Sequence, residues 1–535
     1  MRKLLFSLTV IVFLAAGCRK DGGPSWDTGL VLPLAHASLS IDNLLADSLV
    51  SANADGSVKL VYSTNFSGLS TDTLFDIPDT TYINHYESFF TINVTPGQYL
   101  VTNVPTQTTY DVGDLELVNG VLKEGQLIIR LQNDVQRRVI VSYSIPSATL
   151  NGVPFDTSFL MPAAVDINTS SIRNVTIDLS GYTIDFTGIN NDRVNTVSTL
   201  FTAQIDPTET AGVINGNNID TVAAICTFSG IKPYYIRGYF GNQTVDIGPE
   251  ETGFSIFQHV LSGTAGLDSL TMSLHIDNYV GMDSRLTINS IWSRNTHTGQ
   301  SVYLNNSILG TPININRGYY SNTWPPVVPS SYNFVFDNSN SNAKALVENL
   351  PDKLGYDLTL ITNPLGNVSG NNDFFYSDFG INAGLDIEMP LNFYADQIVI
   401  ADTFATDFTS VKNKEDILKG TLTLYAQNSF PFAAGVQLYL LDAYGNITDS
   451  IVAQPNVINA GLTSGAGNYV VSTGFTSSTI QIPLNETQTQ AFLNSSRIYF
   501  KALFDTNSAP GYVKIYNTNR LDLQLSADFD YHIGN

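Results

Sequence analysis

Strict alternation of apolar and polar residues constrains this 535-residue chain more than any other feature. In the segment RLDLQLSADFDYHI, apolar residues occupy every second position across residues 521–533. Successive side chains of a β-strand point to opposite faces, so this pattern predicts a strand with one buried face and one solvated face. The same alternation occurs in shorter segments near Val58, Arg137, Gly181 and Leu484.

Helical patterns are few and short. They occur at residues 343–349 and 416–419, and in NETQTQAFLN, where Asn485 is placed to cap a short helix. Turn-forming residues recur roughly every ten positions, which is typical of β-sandwiches. We therefore predict an all-β chain of several immunoglobulin-like antiparallel β-sandwich domains in tandem, with few short helices.

Three segments share a faint internal repeat. In each, an alternating strand ends at an asparagine, a short crossover follows, and a second alternating strand begins; the asparagines are Asn133, Asn278 and Asn428. Their spacing of about 150 residues corresponds to one domain each. We expect the three segments to form equivalent strand pairs in separate sandwiches, and the strand that runs into Asn363 opens in the same way.

The strand before Asn363-Pro364 resembles the late-embryogenesis-abundant and water-stress β-sandwich family, whose strands run into an Asn-Pro step. The resemblance covers roughly thirty residues of each repeat, and the other three repeats keep the Asn without the Pro. It implies an immunoglobulin-like sandwich, and it suggests lipid handling as one function.

The N-terminus begins with a short basic start and an apolar segment that ends near Leu14. A membrane span needs about 20 apolar residues and this segment has about half of that, so it predicts a secretory signal peptide. The run Ala15-Ala16-Gly17 before Cys18 resembles the lipobox of bacterial lipoproteins, although Ala15 stands where that family usually has Leu, Val or Ile. The resemblance implies removal of residues 1–17 and attachment of palmitate-type acyl chains to Cys18, which anchor the protein stably.

The three residues after the cysteine, Arg19-Lys20-Asp21, resemble the Lys-plus-acid export signal of Bacteroidota surface lipoproteins. That family often has two acids, and here only one follows Lys20. The resemblance implies an outer-membrane protein that faces the cell surface. The alternative is that these residues are simply a polar tether, which would leave a periplasm-facing orientation open.

Turn-rich stretches divide the rest of the chain. We predict a lipidated tether at residues 18–30, a β-sandwich domain at 31–146, a β-rich domain at 147–249, a β-sandwich domain with an aromatic, Pro-rich loop at 250–411, and a C-terminal β-sandwich domain at 412–535.

Charge excludes some classes of partner. With 48 acidic against 25 basic residues, the formal net charge is −23, which argues against nucleic acid or anionic lipid headgroups. Cys226 is the one cysteine after Cys18 and lies in an apolar alternating segment, so we interpret it as a small buried hydrophobe. Without a second cysteine in the body, no intramolecular disulfide can form.

Motifs for catalysis are missing. The sequence has no G-x-S-x-G, H-E-x-x-H, Walker or dinucleotide-binding motif, and its six histidines are never at metal-ligand spacing. The oxygen-rich run 337–342 resembles part of a calcium loop but lacks the Gly and Glu of an EF-hand. We therefore predict no catalytic, cofactor-binding or metal-ligating residues, no cofactor and no enzymatic activity.

The segment GYYSNTWPPVVPSSY concentrates aromatic side chains in one Pro-rich loop. Two interpretations remain open: a loop that stacks on sugars or docks a partner, or a plug that seals a seam between domains. The candidate residues are Tyr319, Tyr320, Trp324 and Tyr332.

Six Asp-Ser/Thr-apolar or Asp-Thr-Thr triplets resemble the periplasmic O-glycosylation sites of Bacteroidota. The candidate acceptor hydroxyls belong to Ser48, Thr73, Thr80, Thr221, Ser269 and Ser450.

These observations predict a non-catalytic outer-membrane lipoprotein, anchored through acyl chains on Cys18, that acts as a binding, adhesion or envelope-assembly component. Its expected partners are an envelope protein or a surface glycan, and not nucleic acid. The alternatives are a surface glycan-binding or glycan-degrading lipoprotein and a lipid-handling envelope protein. A hydrolase would show a cleft with facing carboxylates, a glycan binder an exposed aromatic shelf, and a lipid carrier an apolar cavity.

Overall fold

The computed structural model describes residues 26–40, 49–66, 77–87, 91–166, 168–214, 221–257, 260–405, 414–451, 457–506 and 511–533. Nearly all of the regular structure is antiparallel β-sheet, which confirms the all-β prediction. The strands, numbered β1 to β37 in chain order, form three units whose buried apolar side chains make one continuous core.

The first unit is a ten-stranded sheet. Its two longest strands pair along their length, from Val222 opposite Asn133 to Tyr239 opposite Glu116. The strands are β4 (Thr80–Glu87), β6 (Tyr99–Thr109), β7 (Glu116–Asn133), β8 (Val139–Leu150), β9 (Val153–Met161), β10 (Ser171–Asp178), β11 (Thr183–Asp185), β12 (Thr196–Ile205), β14 (Thr221–Tyr239) and β25 (Asp373–Tyr376).

Alternation places every second side chain of residues 127–133 in β7 and 222–228 in β14 inside the first unit. Leu127, Ile129 and Leu131 are fully buried, and Cys226 lies opposite Ile129. Burial raises the pKa of the Cys226 thiol to about 12, so the thiol is neutral at physiological pH. Cys226 is therefore the buried small hydrophobe that its sequence context predicts.

The second unit consists of two five-stranded sheets. One contains, in spatial order, β2 (Val50–Ala52), β3 (Val58–Asn65), β26 (Ile381–Pro390), β17 (Thr271–Asn278) and β23 (Ser330–Phe336). The other contains β15 (Thr244–Gly253), β24 (Lys353–Thr362), β18 (Ser284–Asn295) and β19 (Gln300–Tyr303), with β20 (Pro312–Ile315) also paired to β18.

Aromatic side chains join the two sheets of the second unit. The Tyr62 hydroxyl of β3 donates a hydrogen bond to the Gly253 carbonyl of β15 over 2.8 Å. Just after β3, the Phe66 ring lies with its centroid 4.2 Å from that of Tyr356 in β24. These contacts place the sheets face to face, as in a β-sandwich.

The third unit also contains two sheets. The four-stranded sheet has the order β1 (Trp26–Ser40), β37 (Arg520–Ile533), β28 (Ile417–Asn428) and β34 (Thr476–Leu484). The nine-stranded sheet contains β30 (Ile447–Ile451), β29 (Ala433–Leu441), β35 (Arg497–Asp505), β27 (Asn392–Ala405), β36 (Tyr512–Lys514), β33 (Tyr469–Gly474), β32 (Leu462–Ala466), β16 (Val260–Leu267) and β31 (Val457–Ile458).

Two ribbons and short helices complete the described structure. The ribbons are β5 (Ile92–Val94) with β13 (Gly212–Ile214) and β21 (Tyr319–Tyr320) with β22 (Val327–Val328). The helices are α1 (Ala343–Glu348), α2 (Glu486–Asn494) and 3₁₀ turns at Ser255–Phe257 and Lys414–Asp416.

Two of the three helix predictions are confirmed and one is wrong. Helix α1 matches the predicted segment, and Asn485 caps α2 by accepting a hydrogen bond from the Gln488 backbone N–H. The helix predicted at 416–419 is only a 3₁₀ turn that ends at Asp416. Strand β28 begins at Ile417, which pairs with Tyr531, so sheet pairing overrides the local helical pattern.

The units are nested along the chain. Strand β1 pairs with β37, from Trp26 opposite Ile533 to Ser40 opposite Arg520. Strand β3 pairs with β26, and β4, β6 to β12 and β14 belong to the first unit. The chain therefore passes from the third unit through the second to the first and returns through the second to the third, with two further crossings: β16 joins the third unit before β17, and β25 joins the first unit between β24 and β26.

This nesting corrects the predicted segment boundaries. Because β1 begins at Trp26, the last part of the predicted tether 18–30 belongs to a sheet. The predicted segment 31–146 contributes strands to all three units, and segment 250–411 contributes β25 to the first unit and β16 to the third. Local turn signals cannot reveal such long-range pairing.

The three repeat asparagines make the same hydrogen-bonded arch, one in each unit, and all three side chains are buried. In each arch the asparagine Nδ2 group donates two hydrogen bonds, one to the carbonyl four residues later and one to a more distant carbonyl. The distant carbonyl lies 29 residues after Asn133, 38 after Asn278 and 31 after Asn428. The Oδ1 atom accepts a hydrogen bond from the backbone N–H two residues later. The partners are Arg137, Pro162 and Val135 for Asn133; Met282, Asn316 and Val280 for Asn278; and Phe432, Asn459 and Phe430 for Asn428.

Each arch lets the chain leave one strand and start another that does not pair with it. The Asn278 and Asn428 arches lead to the facing sheet. The Asn133 arch leads from β7 to β8 within one sheet, where β11 lies between these two strands. Asn363 differs, because its backbone has a φ of 41° and its Nδ2 donates to Asp373. Three segments therefore share the arch and the fourth does not, but the expected equivalent strand pairs hold only for Asn278 and Asn428, because the Asn133 segment stays within one sheet.

The C-terminal strand lies inside a sheet as the alternation predicts, but its neighbour differs from expectation. The sequence suggested pairing with the strand of Val436, Leu438 and Leu440 or with that strand's sheet partner. Instead β37 lies between β1 and β28, in the sheet that precedes the Asn428 arch. Its Phe529 is buried and its Asp528 is exposed, as alternation requires.

We predict that replacing Asn133, Asn278 or Asn428 with Ala lowers the free energy of unfolding by about 2–4 kcal/mol, because buried backbone groups lose their partners. Urea denaturation of each variant measures the loss. The control is Asn446→Ala, which removes an exposed turn amide and should change stability by roughly 0.5 kcal/mol or less. An arch variant as stable as this control would contradict the structural role of the arch.

We also predict that truncation before Leu521 unfolds the third unit, because β28 and β1 both lose the strand that joins them. Hydrogen exchange should show lost protection in β28 and β34 and retained protection in β7 and β14. Phe529→Ala should destabilise the same unit by about 3–5 kcal/mol, whereas Asp528→Ala on the exposed face should not. Unchanged protection of β28 after truncation would refute this role for β37.

Candidate functional site

The aromatic loop of the second unit lies against the first unit. The Tyr320 ring of β21 stacks on the Phe374 ring of β25, with centroids 3.9 Å apart and planes 22° apart. Its hydroxyl lies 2.6 Å from the Tyr235 hydroxyl of β14. Because β25 and β14 belong to the first unit, Tyr320 bridges the seam between the two units.

Other rings of the same loop remain open to solvent. Trp324 is 72% exposed, Tyr319 is 57% exposed and Tyr320 keeps 52% exposure despite its stacking. The Phe379 ring meets the Trp324 ring in an edge-to-face arrangement, with centroids 5.6 Å apart. Tyr320 and Trp324 therefore form an exposed aromatic ridge over a seam that aromatic side chains fill, whereas Tyr319, the residue before Tyr320 in β21, points to the other face of the ribbon.

The Asn278 arch holds the base of the aromatic ridge. Its Nδ2 donates to the Asn316 carbonyl over 2.8 Å, and the Asn316 N–H donates to the Tyr332 hydroxyl over 2.8 Å. Tyr332 is half-buried in β23, so it supports the loop and is not part of the exposed ridge. The Gly318 N–H donates to the Val280 carbonyl over 2.7 Å, so the hairpin is fixed just before Tyr319.

A buried ion pair fixes the other side of the seam. Arg317 Nη2 lies 2.9 Å from Asp373 Oδ1, and the Asp373 side chain is fully buried. Its other oxygen accepts hydrogen bonds from Asn363 Nδ2 over 2.7 Å and from the Phe240 N–H over 3.3 Å. The carboxylate is thus fully partnered, as a buried charge must be. It holds β25, and with it Phe374, beneath Tyr320.

The aromatic ridge carries little net charge. Burial and the hydrogen bond with Tyr235 raise the pKa of Tyr320, and burial raises the pKa of Tyr376, so both phenols stay neutral at physiological pH. Beside them, Lys123 and Asp378 form a 3.2 Å ion pair. This near-neutral surface contrasts with the acidic character of the chain as a whole.

Carboxyl groups elsewhere have structural partners. Every described carboxyl group whose pKa is clearly shifted has that pKa lowered. In Asp178, Asp337 and Asp442 the main cause is a hydrogen bond from a nearby side chain of the same turn. A general acid of a glycosidase needs a raised pKa, so these carboxyl groups are suited to turns and not to that role.

Metal-ligand chemistry is equally sparse in the described residues. No group of three or more His, Cys, Asp or Glu side chains is placed there to hold a metal ion. In the oxygen-rich run 337–342, Asp337 accepts hydrogen bonds from the Ser339 N–H and hydroxyl, which close a turn. The carboxylate is therefore used within its own loop.

The candidate glycosylation hydroxyls have different environments. Ser450 is exposed, and Thr80, Thr221 and Ser269 are half-buried. The Thr221 hydroxyl donates to Asp134 and the Thr80 hydroxyl donates to the Pro78 carbonyl. Ser48 and Thr73 lie outside the described residues, as does Cys18. Within the described residues, no helix is both long and apolar enough to cross a membrane.

Sequence reasoning found the ridge but missed its support. Tyr235, Phe374, Tyr376 and Phe379 come from distant parts of the chain and pack around Tyr320 and Trp324. The signal that could have found them is the aromatic density of PYYIRGYF and DFFYSDF, at residues 233–240 and 373–379.

The sequence matches no protein-family model and no curated protein. Among solved structures, a Parabacteroides distasonis protein described as secreted overlaps 55% of this chain and 88% of its own, at 12% identity and a TM-score of 0.26. A structure of infectious bursal disease virus, Gt strain, overlaps 92% of this chain and 82% of its own at 9% identity, with a TM-score of 0.12. These overlaps are too loose to place the chain in a family.

Proposed function

We propose that this chain is a non-catalytic lipoprotein of the outer membrane, facing the cell surface, that works as a binding, adhesion or envelope-assembly component. The observation that carries the proposal is the exposed aromatic ridge held on a rigid seam between two β-sheet units. Exposed aromatic side chains on a fixed scaffold are typical of recognition surfaces.

The start of β1 supports a membrane-proximal third unit. Strand β1 begins at Trp26, the eighth residue after Cys18. Because an extended chain spans about 3.3–3.6 Å per residue, the distance from Cys18 to Trp26 is roughly 30 Å at most. With Cys18 acylated, the third unit stays close to the bilayer. The ridge lies on the first and second units, which the chain enters only after leaving the third.

Four carboxyl groups with shifted pKa values have roles within the fold. Their lowered pKa values arise from hydrogen bonds that close turns or join strands.

We predict that Cys18→Ser abolishes acylation and releases the protein from the membrane fraction. The measurement is metabolic labelling with a palmitate analogue, followed by membrane fractionation. Cys226→Ala is the matched control, because the Cys226 thiol is buried and lies far from Cys18 in the sequence. This variant should keep both the label and the membrane location.

Persistent acylation of the Cys18→Ser variant would refute the lipoprotein assignment. Protease treatment of intact cells tests the orientation: a surface-facing protein is digested, whereas a periplasm-facing one is protected until the outer membrane is opened. Proteins that copurify with the wild-type chain in mild detergent would identify an envelope partner.

A further inference from the structure

We propose that a row of tyrosine rings on the third unit binds an uncharged glycan by stacking sugar rings against it. We call this row the tyrosine shelf, and it consists of Tyr394, Tyr469, Tyr512 and Tyr516. The shelf is separate from the aromatic ridge. The inference rests on the binding role proposed above, to which it adds a second surface and a class of ligand.

Two rings of the tyrosine shelf are direct neighbours on one face of the nine-stranded sheet. Tyr469 pairs with Tyr512, because β33 runs parallel to β36. The next pair along these strands, Val470 with Val513, is buried. Since successive side chains of a strand point to opposite faces, both tyrosine rings lie on the solvent side of the sheet.

Tyr394 extends the row across a third strand. Phe393 of β27 pairs with Val513, so the following residue, Tyr394, lies beside Tyr512 on the solvent side. The centroids of the Tyr394 and Tyr512 rings are 6.3 Å apart. Tyr394 leans over Gly266 of β16, where a methyl group would collide with the ring. The backbone therefore supports the ring from below, and 42% of Tyr394 remains in solvent.

Lys514 joins Tyr516 to the row. Its Nζ lies 5.9 Å from the ring centroid of Tyr469 and 5.5 Å from that of Tyr516, so one ammonium group contacts both rings. The same Nζ lies 3.0 Å from Asp55 Oδ2, in the turn between β2 and β3. The Tyr469 hydroxyl donates a 2.7 Å hydrogen bond to Asp268, directly after β16. A surface that is already ordered in this way loses little conformational entropy when a ligand binds.

The composition of the tyrosine shelf suits a sugar. A pyranose ring presents faces of C–H bonds, and these pack against the electron-rich face of an aromatic ring. Its hydroxyl groups need hydrogen-bond partners, and Asp55, Asp268 and Lys514 lie at the edge of the rings. Among the described side chains of β16, β27, β33 and β36, Tyr394 is the one large hydrophobic that is exposed. An aliphatic ligand would therefore find little to pack against.

Charges of both signs at the shelf favour an uncharged ligand. An anionic glycan would meet the carboxylates of Asp55 and Asp268 and the net charge of −23. A cationic glycan would have to displace Lys514 from its two rings and from Asp55. The hydrogen bond with Asp268 raises the pKa of Tyr469, so that phenol stays neutral at physiological pH.

The size of the tyrosine shelf favours a glycan over a protein partner. An aromatic side chain covers about 150–250 Å², and less than half of each shelf tyrosine is exposed, so the four present below roughly 500 Å². A standard protein interface buries ~800 Å² on each partner. A chain of sugars needs only ring-sized contacts repeated along its length.

The test is affinity electrophoresis of the purified full chain in mild detergent. The gels contain soluble starch, dextran, laminarin, arabinoxylan or galactomannan, with polygalacturonate as the anionic comparison. We expect at least one neutral polysaccharide to retard the wild-type chain and polygalacturonate not to. Tyr394→Ala should weaken that binding about ten-fold, because it removes the most exposed ring of the shelf. Tyr394→Phe keeps the ring and should bind within about two-fold of the wild type.

Gly266→Ala tests the position of the Tyr394 ring separately from its presence. The added methyl group takes the space below the ring and displaces it, while every tyrosine of the shelf is retained. This variant should lose binding as Tyr394→Ala does. The matched control is Tyr444→Ala, which removes a 92% exposed ring elsewhere in the third unit and should bind like the wild type. If Tyr394→Ala lowers the melting temperature, the comparison of Gly266→Ala with the wild type decides.

Several results would overturn the proposal. These are no retardation by any of the five neutral polysaccharides, binding that survives both Tyr394→Ala and Gly266→Ala, or equal weakening by Tyr444→Ala. Sedimentation of the same samples tests for a second copy, and a dimer that disappears with Tyr394→Ala would assign the tyrosine shelf to self-association instead. Failure here leaves the acylation test of Cys18 unaffected, because that test follows the anchor in cells.

Discussion

Three buried carboxamides determine how this chain turns from strand to strand. Backbone pairing between strands stops at the asparagine that ends each strand. The asparagine side chain then forms hydrogen bonds with one backbone N–H and two carbonyls that the turn would otherwise leave without partners. A buried backbone group without a partner costs about 1–3 kcal/mol, so the arch is stable only with the carboxamide in place. Because each arch also reaches a carbonyl about thirty residues away, it connects the turn to a later part of the same unit.

The Asn278 arch links this architecture to the candidate site. Its distant carbonyl belongs to Asn316, directly before the hairpin that carries the aromatic ridge. On the other side of the seam, the buried Asp373 carboxylate receives Arg317 from the second unit and Asn363 from the loop beside it. The ridge is therefore fixed by hydrogen bonds and an ion pair at its base, while its outer faces stay open.

Sequence reasoning succeeded where the signal is local. Alternation predicted β37 and its buried face, the Asn485 cap predicted helix α2, and the spacing of Asn133, Asn278 and Asn428 predicted three related segments, which share the same arch although only two of them cross to a second sheet. It failed where pairing joins distant strands, because nothing near Trp26 indicates that its partner is Ile533. For the site, the loop at 319–324 was visible in the sequence, but Tyr235 and Phe374 become its neighbours only through the contact of two units.

The nested order of strands sets an order of assembly. The strands of the first unit lie close together in the chain, apart from β25, so most of that sheet can form as soon as residues 80–239 are available. Strand β1 must wait for β37, about 490 residues later, and it presents an unpaired edge for the whole of that interval. Non-local pairing of this kind is slow, and open edges promote aggregation. Protection against aggregation is therefore needed most by β1, and that need ends only when β1 and β37 pair.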